Sequence, residues 1–210
     1  MKAESIVFAV AGAAFGLLVG WMLGAQAQAP PSQTTGSEAP AAAATGSGGA
    51  AAQAQAPAPL DEAKVKDLVA AAEARPKDAG VRAEIGNVYF DAERFDEGIR
   101  WYEASLDLDP RNADVSTDLG VSYYYTNQPD RALAQFTRSL EIDPKHTKTL
   151  LNLGIVRAFA KQDLKGAAEA WQQAVTLAPD SAEGRAARTA LDALRSAHPE
   201  LEGQRAPESP

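Results

Sequence analysis

A 34-residue period runs through the middle of this chain. Gly86, Gly120 and Gly154 recur at that spacing, and each follows an aliphatic residue. Later in each unit an aromatic residue and then a proline recur: Tyr102, Phe136 and Trp171, then Pro110, Pro144 and Pro179. A fixed period of this length predicts a solenoid, in which each unit buries its apolar face against its neighbours.

Apolar residues recur at helical spacing between the prolines, which end helices. The pattern predicts six helices in three hairpins, over residues 83–91, 95–106, 115–125, 131–140, 150–160 and 167–177. A glycine inside a helix costs about 1 kcal/mol relative to alanine. We therefore expect each repeat glycine to allow close approach of a neighbouring helix, with the aromatic residue one helix later filling the enclosed space. The third unit is one residue longer, and we expect the turn around 162–166 to absorb it.

The pattern of aliphatic-Gly-x-x-Tyr, a small residue, an aromatic residue, a small residue and proline resembles the tetratricopeptide repeat (TPR). The resemblance covers roughly half of the chain and implies an all-α TPR α-solenoid, with helix-hairpin repeats over 79–112, 113–146 and 147–181. The third copy departs from the pattern at Arg157, where the first two have Tyr89 and Tyr123. The family tryptophan near the start of the unit is missing from all three copies.

Capping helices are predicted on both sides of the repeats. The segment 60–75 has a helical apolar face, and its stop at Pro76 lies 34 residues before Pro110, as in a degenerate repeat. A second helix is predicted over 181–197, with small and apolar residues inward and arginines outward. Polar-backed ends of this kind keep a solenoid soluble. The TPR domain is thus expected over 60–197, and 198–210 is expected to be a flexible tail.

The N-terminal segment is predicted to be a transmembrane anchor over residues 1–24. Residues 6–23 carry no charge, and as a helix extended by Gly24 they would span about 28 Å, close to the bilayer core of about 30 Å. The alternative is a signal peptide cleaved after the A-x-A-like residues 25–27, which would leave a secreted or periplasmic protein. We also expect one seam of the helix to pack against another helix; it is formed by Gly12, Gly16, Gly20 and Gly24.

The orientation of the anchor is predicted from Lys2 and the terminal amine, which favour a cytoplasmic N-terminus. The repeats would then be periplasmic, on a single-pass inner membrane protein. Residues 25–59, rich in Ala, Pro, Gly and Gln with Glu38 as the one charge, are predicted to be a disordered linker.

Composition excludes several function classes. A net charge of −8 without a basic stripe argues against nucleic acid as a partner. With no cysteine and two histidines, the chain is a poor candidate for a metal site. His146 and His198 stand beside turns and are predicted to be surface residues. No catalytic constellation is recognisable, so we expect neither an enzyme nor a cofactor.

The TPR resemblance implies a concave groove, lined by the first helix of each pair, that holds a protein or peptide partner. The family positions fall on Ala83, Asn87, Phe90 and Asp91, on Thr117, Asp118, Val121, Tyr124 and Tyr125, and on Lys148, Asn152, Ile155 and Phe159. The two asparagines could hydrogen-bond the backbone of an extended segment. The aromatic residues would supply contact area of the kind enriched at interaction hot spots.

One TPR subtype grips a C-terminal carboxylate with lysine, asparagine and arginine residues. Asn87 and Lys148 match that clamp, whereas Ala83, Asp118 and Asn152 do not. Asp118 would repel a carboxylate, so the sequence predicts that a chaperone tail is not the ligand.

The predicted function is a membrane-tethered TPR scaffold that recruits a protein partner on the outer side of a bacterial inner membrane. Its architecture is similar to that of TPR proteins that assist assembly of cytochrome c and other envelope complexes. The alternative is a self-assembling structural homo-oligomer, which would use the glycine-lined membrane helix and the solenoid ends.

Overall fold

A computed structural model describes residues 58–199, and this part of the chain contains eight α-helices and no strand. In chain order they are α1 (Glu62–Ala74), α2 (Ala79–Asp91), α3 (Phe95–Leu106), α4 (Ala113–Tyr125), α5 (Pro129–Ile142), α6 (Thr147–Phe159), α7 (Leu164–Leu177) and α8 (Ala182–Ala197). Each helix packs against the next one along the chain, and α8 also contacts α6. The all-helical solenoid expected from the repeat pattern is confirmed.

Three helix hairpins form the body of the solenoid. Turns 92–94, 126–128 and 160–163 join α2 to α3, α4 to α5 and α6 to α7. The third turn is one residue longer, so the extra residue of the third unit lies there. The turn predicted around 162–166 begins earlier and ends at 163, because α7 begins at Leu164. Each turn contains one residue with a left-handed backbone, and none of the three is glycine: Glu93 (φ 54°), Asn127 (φ 58°) and Gln162 (φ 55°).

Most of the repeat helices begin a few residues earlier than predicted from the apolar spacing. Asp78 and Asn112 accept hydrogen bonds from the backbone N–H groups of Val81 and Val115, at 3.2 and 3.1 Å. These caps satisfy donors that the first turn of a helix leaves unpaired. Helix α5 begins with Pro129, which suits the first helical position because no N–H is needed there.

The repeat glycines face the repeat aromatic residues across each hairpin. A Cβ added to the glycine would lie 2.6, 2.6 and 2.2 Å from the nearest ring atom in the pairs Gly86–Tyr102, Gly120–Phe136 and Gly154–Trp171. All three rings are buried. The prediction that each glycine admits an aromatic residue from the next helix is therefore confirmed.

Arg157 replaces the repeat tyrosine without loosening the third hairpin. Its guanidinium donates to the carbonyl of Gly166, at 3.1 Å, and so connects α6 to the start of α7. At the equivalent place in the second hairpin, Tyr123 is buried and lies under the guanidinium of Arg131, 3.9 Å from the ring centroid. A cation stabilises the hairpin in both cases, through a carbonyl in one and an aromatic ring in the other.

The predicted anchor with Gly12, Gly16, Gly20 and Gly24, most of the linker and residues 200–210 of the tail lie outside the described residues. Within 58–199, none of the helices combines the length and the apolar character needed to cross a bilayer.

Candidate functional site

The first helices of the three hairpins share one face of the solenoid, which we call the first-helix face. Near its surface, the rings of Phe90 and Tyr125 connect α2 to α4, and an ion pair between Asp118 and Lys148 connects α4 to α6. Helical spacing of three or four residues extends the face along each helix. Its described residues that keep solvent exposure are Ala83, Glu84, Asn87, Phe90, Asp91, Asp118, Tyr124, Tyr125, Lys148 and Phe159.

Aromatic side chains dominate one end of this face. The ring of Tyr125 stacks on that of Phe95, with centroids 4.3 Å apart and an interplanar angle of 4°. Phe90 meets the edge of Phe95 at 5.3 Å, and Tyr124 lies 6.1 Å from Tyr125. Phe159 on α6 lies at the same repeat position as Tyr125 and is 45% exposed. Phe95 was not among the predicted site residues, because it belongs to the second helix of its pair.

Several residues assigned to the groove by the family pattern are buried. Val121, Asn152 and Ile155 point into the packing between helices, and Thr117 is fully enclosed. They support the first-helix face from below, and a partner lying on that face would not touch their side chains. Ala83 is half-buried.

The two asparagines differ in what they offer. The Oδ1 of Asn87 accepts a hydrogen bond from the hydroxyl of Tyr102, at 2.7 Å. This bond fixes the amide, and its Nδ2 has no hydrogen-bond partner within residues 58–199. Asn152, by contrast, donates its Nδ2 to the carbonyl of Lys148 at 2.8 Å and is buried. Only Asn87 presents an amide donor to solvent on this face.

The positive charge of Lys148 is already paired. Its Nζ lies 2.6 Å from the Oδ1 of Asp118. Burial raises the pKa of the Asp118 carboxyl above its ordinary value, and the nearby Lys148 opposes that shift. Lys148, which matches the carboxylate clamp, therefore forms an ion pair with Asp118 at the position where a clamp would bind a ligand carboxylate.

A second carboxylate approaches the same region from α2. Burial raises the pKa of the Tyr102 hydroxyl, and the charges of Asp118 and Asp91 raise it further. Asn87, which accepts the hydrogen bond of that hydroxyl, and Asp91 are one helical turn apart on α2. Burial also raises the pKa of Asp91, while Lys64 on α1 opposes the shift.

A buried hydroxyl cluster lies beneath the face, where α4, α5 and α6 meet. The hydroxyl oxygens of Thr117, Ser139 and Thr149 lie 2.6 to 2.9 Å from one another. The ring of His146 bridges this cluster to Asp114, with Nδ1 2.6 Å from the hydroxyl of Thr149 and Nε2 3.1 Å from a carboxylate oxygen.

The prediction of a surface position for His146 was wrong, because its side chain is 17% exposed and packed between two repeats. The three hydroxyl residues are far apart in the sequence, and no local sequence pattern predicts that they contact one another. Because the three hydroxyl side chains are fully buried, the cluster joins repeats and offers no nucleophile to a substrate. No group of three potential metal ligands occurs in the described part of the chain.

Two family models match the chain, both described as the tetratricopeptide repeat, one over residues 79–145 and the other over 117–182. No curated protein matched the sequence. Among solved structures, the chain resembles the first TPR of Spaghetti (RPAP3) bound to the HSP90 peptide SRMEEVD, with 28% identity and a TM-score of 0.52. That match covers 57% of this chain and 91% of the other.

Two further structures support the fold. The first TPR domain of the human RPAP3 protein is 27% identical, with a TM-score of 0.53, and the match covers 60% of this chain and 97% of that domain. The Arabidopsis OM64 TPR domain is 23% identical, with a TM-score of 0.52 and coverage of 56% and 94%. The period and the three helix hairpins agree with both family models, which together match residues 79–182 as tetratricopeptide repeats.

Proposed function

We propose that the first-helix face binds an extended segment of a protein partner, so that the chain acts as an interaction scaffold. The observation that carries the proposal is the exposed aromatic side chain of Phe159, at the repeat position of Tyr125, on a face that also carries the contacting rings of Phe90, Tyr124 and Tyr125. Large rings lose little conformational entropy on binding and supply much of the energy at interfaces. The amide donor of Asn87 is placed to bond a backbone carbonyl of the same segment.

The solved relatives support a peptide as the kind of partner. The first TPR of Spaghetti (RPAP3) was solved with an HSP90 peptide, and it aligns with more than half of this chain. A TPR fold positions side chains for recognition, and function follows from the side chains themselves. The ligand of this chain is therefore argued from its own face and not from that peptide.

Photo-crosslinking from a defined position tests the proposal. The full chain, expressed in native membranes, would carry a photoreactive phenylalanine analogue in place of Phe159, or of Leu177 as a matched control. Leu177 is similarly exposed, at 41%, but lies on α7, outside the first-helix face. We expect a discrete crosslinked partner from position 159 only. Equal products from both positions, or none from position 159, would refute peptide binding at this face.

The scaffold is also proposed to be membrane-tethered, with residues 1–24 as a retained anchor and the repeats in the periplasm. A flexible linker of 35 residues has an end-to-end distance on the order of 30 to 35 Å, which holds the face near membrane partners and raises its effective concentration. Assistance in assembling an envelope complex is the role that this architecture suits. Alkaline extraction of membranes tests retention, and full release of the chain would favour the cleaved-signal alternative.

The self-assembling alternative stays a prediction with its own test. Sedimentation of the purified full chain in detergent, across a hundredfold range of concentration, would show a mass that rises with concentration if the chain forms an open assembly. A constant protomer mass would contradict it and leave the scaffold as the working function.

A further inference from the structure

Resting on the proposed function, we infer that the first-helix face selects a partner segment carrying lysine or arginine, and rejects acidic segments and free C-terminal carboxylates. The inference combines the charges on the face, the pairing of its lysine and the aromatic residues beside the acids. It concerns the chemistry of the ligand and goes beyond the binding role itself.

Two acids and an amide occupy successive turns of the face on α2, and a third acid lies on α4. On α2, Glu84, Asn87 and Asp91 follow at intervals of three and four residues, and all three are exposed. On α4, Asp118 stands at the repeat position equivalent to Glu84, 34 residues later. The face thus carries three carboxylates against one lysine, a formal charge of −2, and the neighbouring helix α1 brings one further cation, Lys64, to act on Asp91.

The lysine does not offset this charge for a ligand. Its Nζ lies 2.6 Å from Asp118, so an incoming carboxylate would have to compete with a carboxylate already in place. Like charges at close range repel, and the repulsion strengthens as water is displaced. The pairing of Lys148 therefore opposes an acidic ligand at the position where a carboxylate clamp would need a free cation.

Two of the carboxylates act electrostatically on the same hydroxyl. Asp91 from α2 and Asp118 from α4 both act on the hydroxyl of Tyr102, which donates to Asn87. Both carboxyl groups have lost part of their hydration, Asp118 more than the exposed Asp91, and this loss penalises their charged form. An ammonium or guanidinium group placed beside them would stabilise that form, with Asn87 bonding the backbone of the same segment.

The aromatic residues favour the same ligand. Tyr125 lies on α4, two helical turns after Asp118. Its ring contacts that of Phe90, which precedes Asp91 in the sequence. A cationic side chain reaching the acids would run its methylene stem across these rings, and guanidinium groups in particular stack on aromatic faces. Charge attraction and apolar contact then act on one side chain of the ligand.

Neither the linker nor the C-terminal tail offers such a ligand. Residues 25–57 carry Glu38 as their single charge, and residues 200–210 carry three glutamates and one arginine. Neither matches a face of negative charge. The occupant is therefore a separate partner, whose basic segment is extended.

Peptide display on the purified full chain in detergent tests the inference, with the SRMEEVD peptide as an acidic reference. We expect the enriched sequences to contain more Lys and Arg than the starting library, and their binding to weaken about tenfold between 50 and 500 mM salt. Enrichment of acidic sequences, or of neutral ones, would overturn the charge inference while supporting the binding face. Failure to enrich any sequence would instead count against the proposed function.

Charge variants locate the effect. Glu84→Gln and Asp91→Asn should each weaken binding of an enriched basic peptide roughly two- to fivefold, whereas Glu169→Gln, an exposed acid on α7, should leave it unchanged. Asp118→Asn frees Lys148 and should raise affinity for SRMEEVD. Equal effects at Glu84 and Glu169, or no gain for the acidic peptide, would contradict the assignment of the charge preference to this face.

Discussion

Replacing Gly154 by alanine should destabilise the repeat domain, although alanine is the better helix former. The added Cβ would lie 2.2 Å from Nε1 of Trp171 and 2.5 Å from the adjacent ring carbon. Ordinary contacts of a Cβ begin near 3.4 Å, so the ring or the helix has to shift by about 1 Å. Trp171, on α7, is buried, so its ring cannot rotate into solvent to avoid the added Cβ.

The size of the effect follows from three contributions to the free energy of unfolding. Overpacking of a close-packed core costs about 1 to 3 kcal/mol. A shifted ring also strains the hydrogen bond from Nε1 to the carbonyl of Leu151, now 3.0 Å, and losing a buried bond costs about 1 to 3 kcal/mol. Alanine returns about 1 kcal/mol in helix propensity. The net loss is expected to be about 1 to 5 kcal/mol, with a midpoint near 3 kcal/mol.

Urea and thermal unfolding of the full chain, followed by circular dichroism at 222 nm, would measure this loss. For a domain of this size a loss of 1 kcal/mol lowers Tm by about 3 to 5 °C, so the midpoint of the expected loss corresponds to a fall of about 9 to 15 °C. Gly98→Ala is the matched control. Gly98 has no neighbour closer than 3.4 Å, and the equivalent residues are Ala132 and Ala167, so this variant should gain about 0.5 to 1 kcal/mol.

A double variant distinguishes the clash from other causes. Trp171→Leu removes the ring and creates a cavity of its own, so Gly154→Ala should cost much less on that background than in the wild-type chain. The reasoning fails if Gly154→Ala is as stable as the wild type, or if its cost is the same with and without the tryptophan.

Three further predictions concern the turns, the buried network and pH. Glu93→Gly should stabilise the domain by about 0.5 to 1 kcal/mol, because a left-handed backbone strains a residue with a Cβ. Asn127→Gly should gain less, because asparagine tolerates this backbone better than glutamate. Equal increases in the urea midpoint of the two variants would contradict this. Thr149→Val should cost about 1 to 3 kcal/mol by leaving buried hydroxyls short of a partner, whereas exposed Thr176→Val should be neutral. Because burial raises the folded-state pKa of Asp118, the folded state binds the proton more tightly than the unfolded state. As pH falls through that raised pKa, the wild type should therefore become more stable relative to Asp118→Asn. The measurement is the difference in unfolding free energy between the two chains from pH 7 to pH 4. A difference that does not change with pH would refute the assignment.

Much of the fold could be predicted because its signals are local. The six repeat helices were predicted from apolar spacing, and most of their observed starts differ by a few residues because Asp78 and Asn112 cap them. The glycine and aromatic pairs were also predictable, since one helix hairpin contains both partners. Arg157 broke the family pattern, and only the structure showed its bond to Gly166.

The candidate site was less predictable from sequence. Family positions indicated Val121, Asn152 and Ile155 as lining residues, but neighbouring helices bury them. The stacking of Phe95 on Tyr125 was not expected, because the two residues belong to different repeats. The ion pair of Asp118 with Lys148 was missed for the same reason.

The sequence by itself determined the repeat period, the helix pairs, the turn that absorbs the extra residue and the glycines that admit a ring. These features depend on residues within one 34-residue unit, whose backbone preferences and apolar spacing can be read directly. Only the tertiary structure decided which side chains remain exposed and which charges are already paired. Burial and pairing depend on contacts between successive units, such as that of Asp118 with Lys148, and the angle at which one hairpin packs on the next determines these contacts.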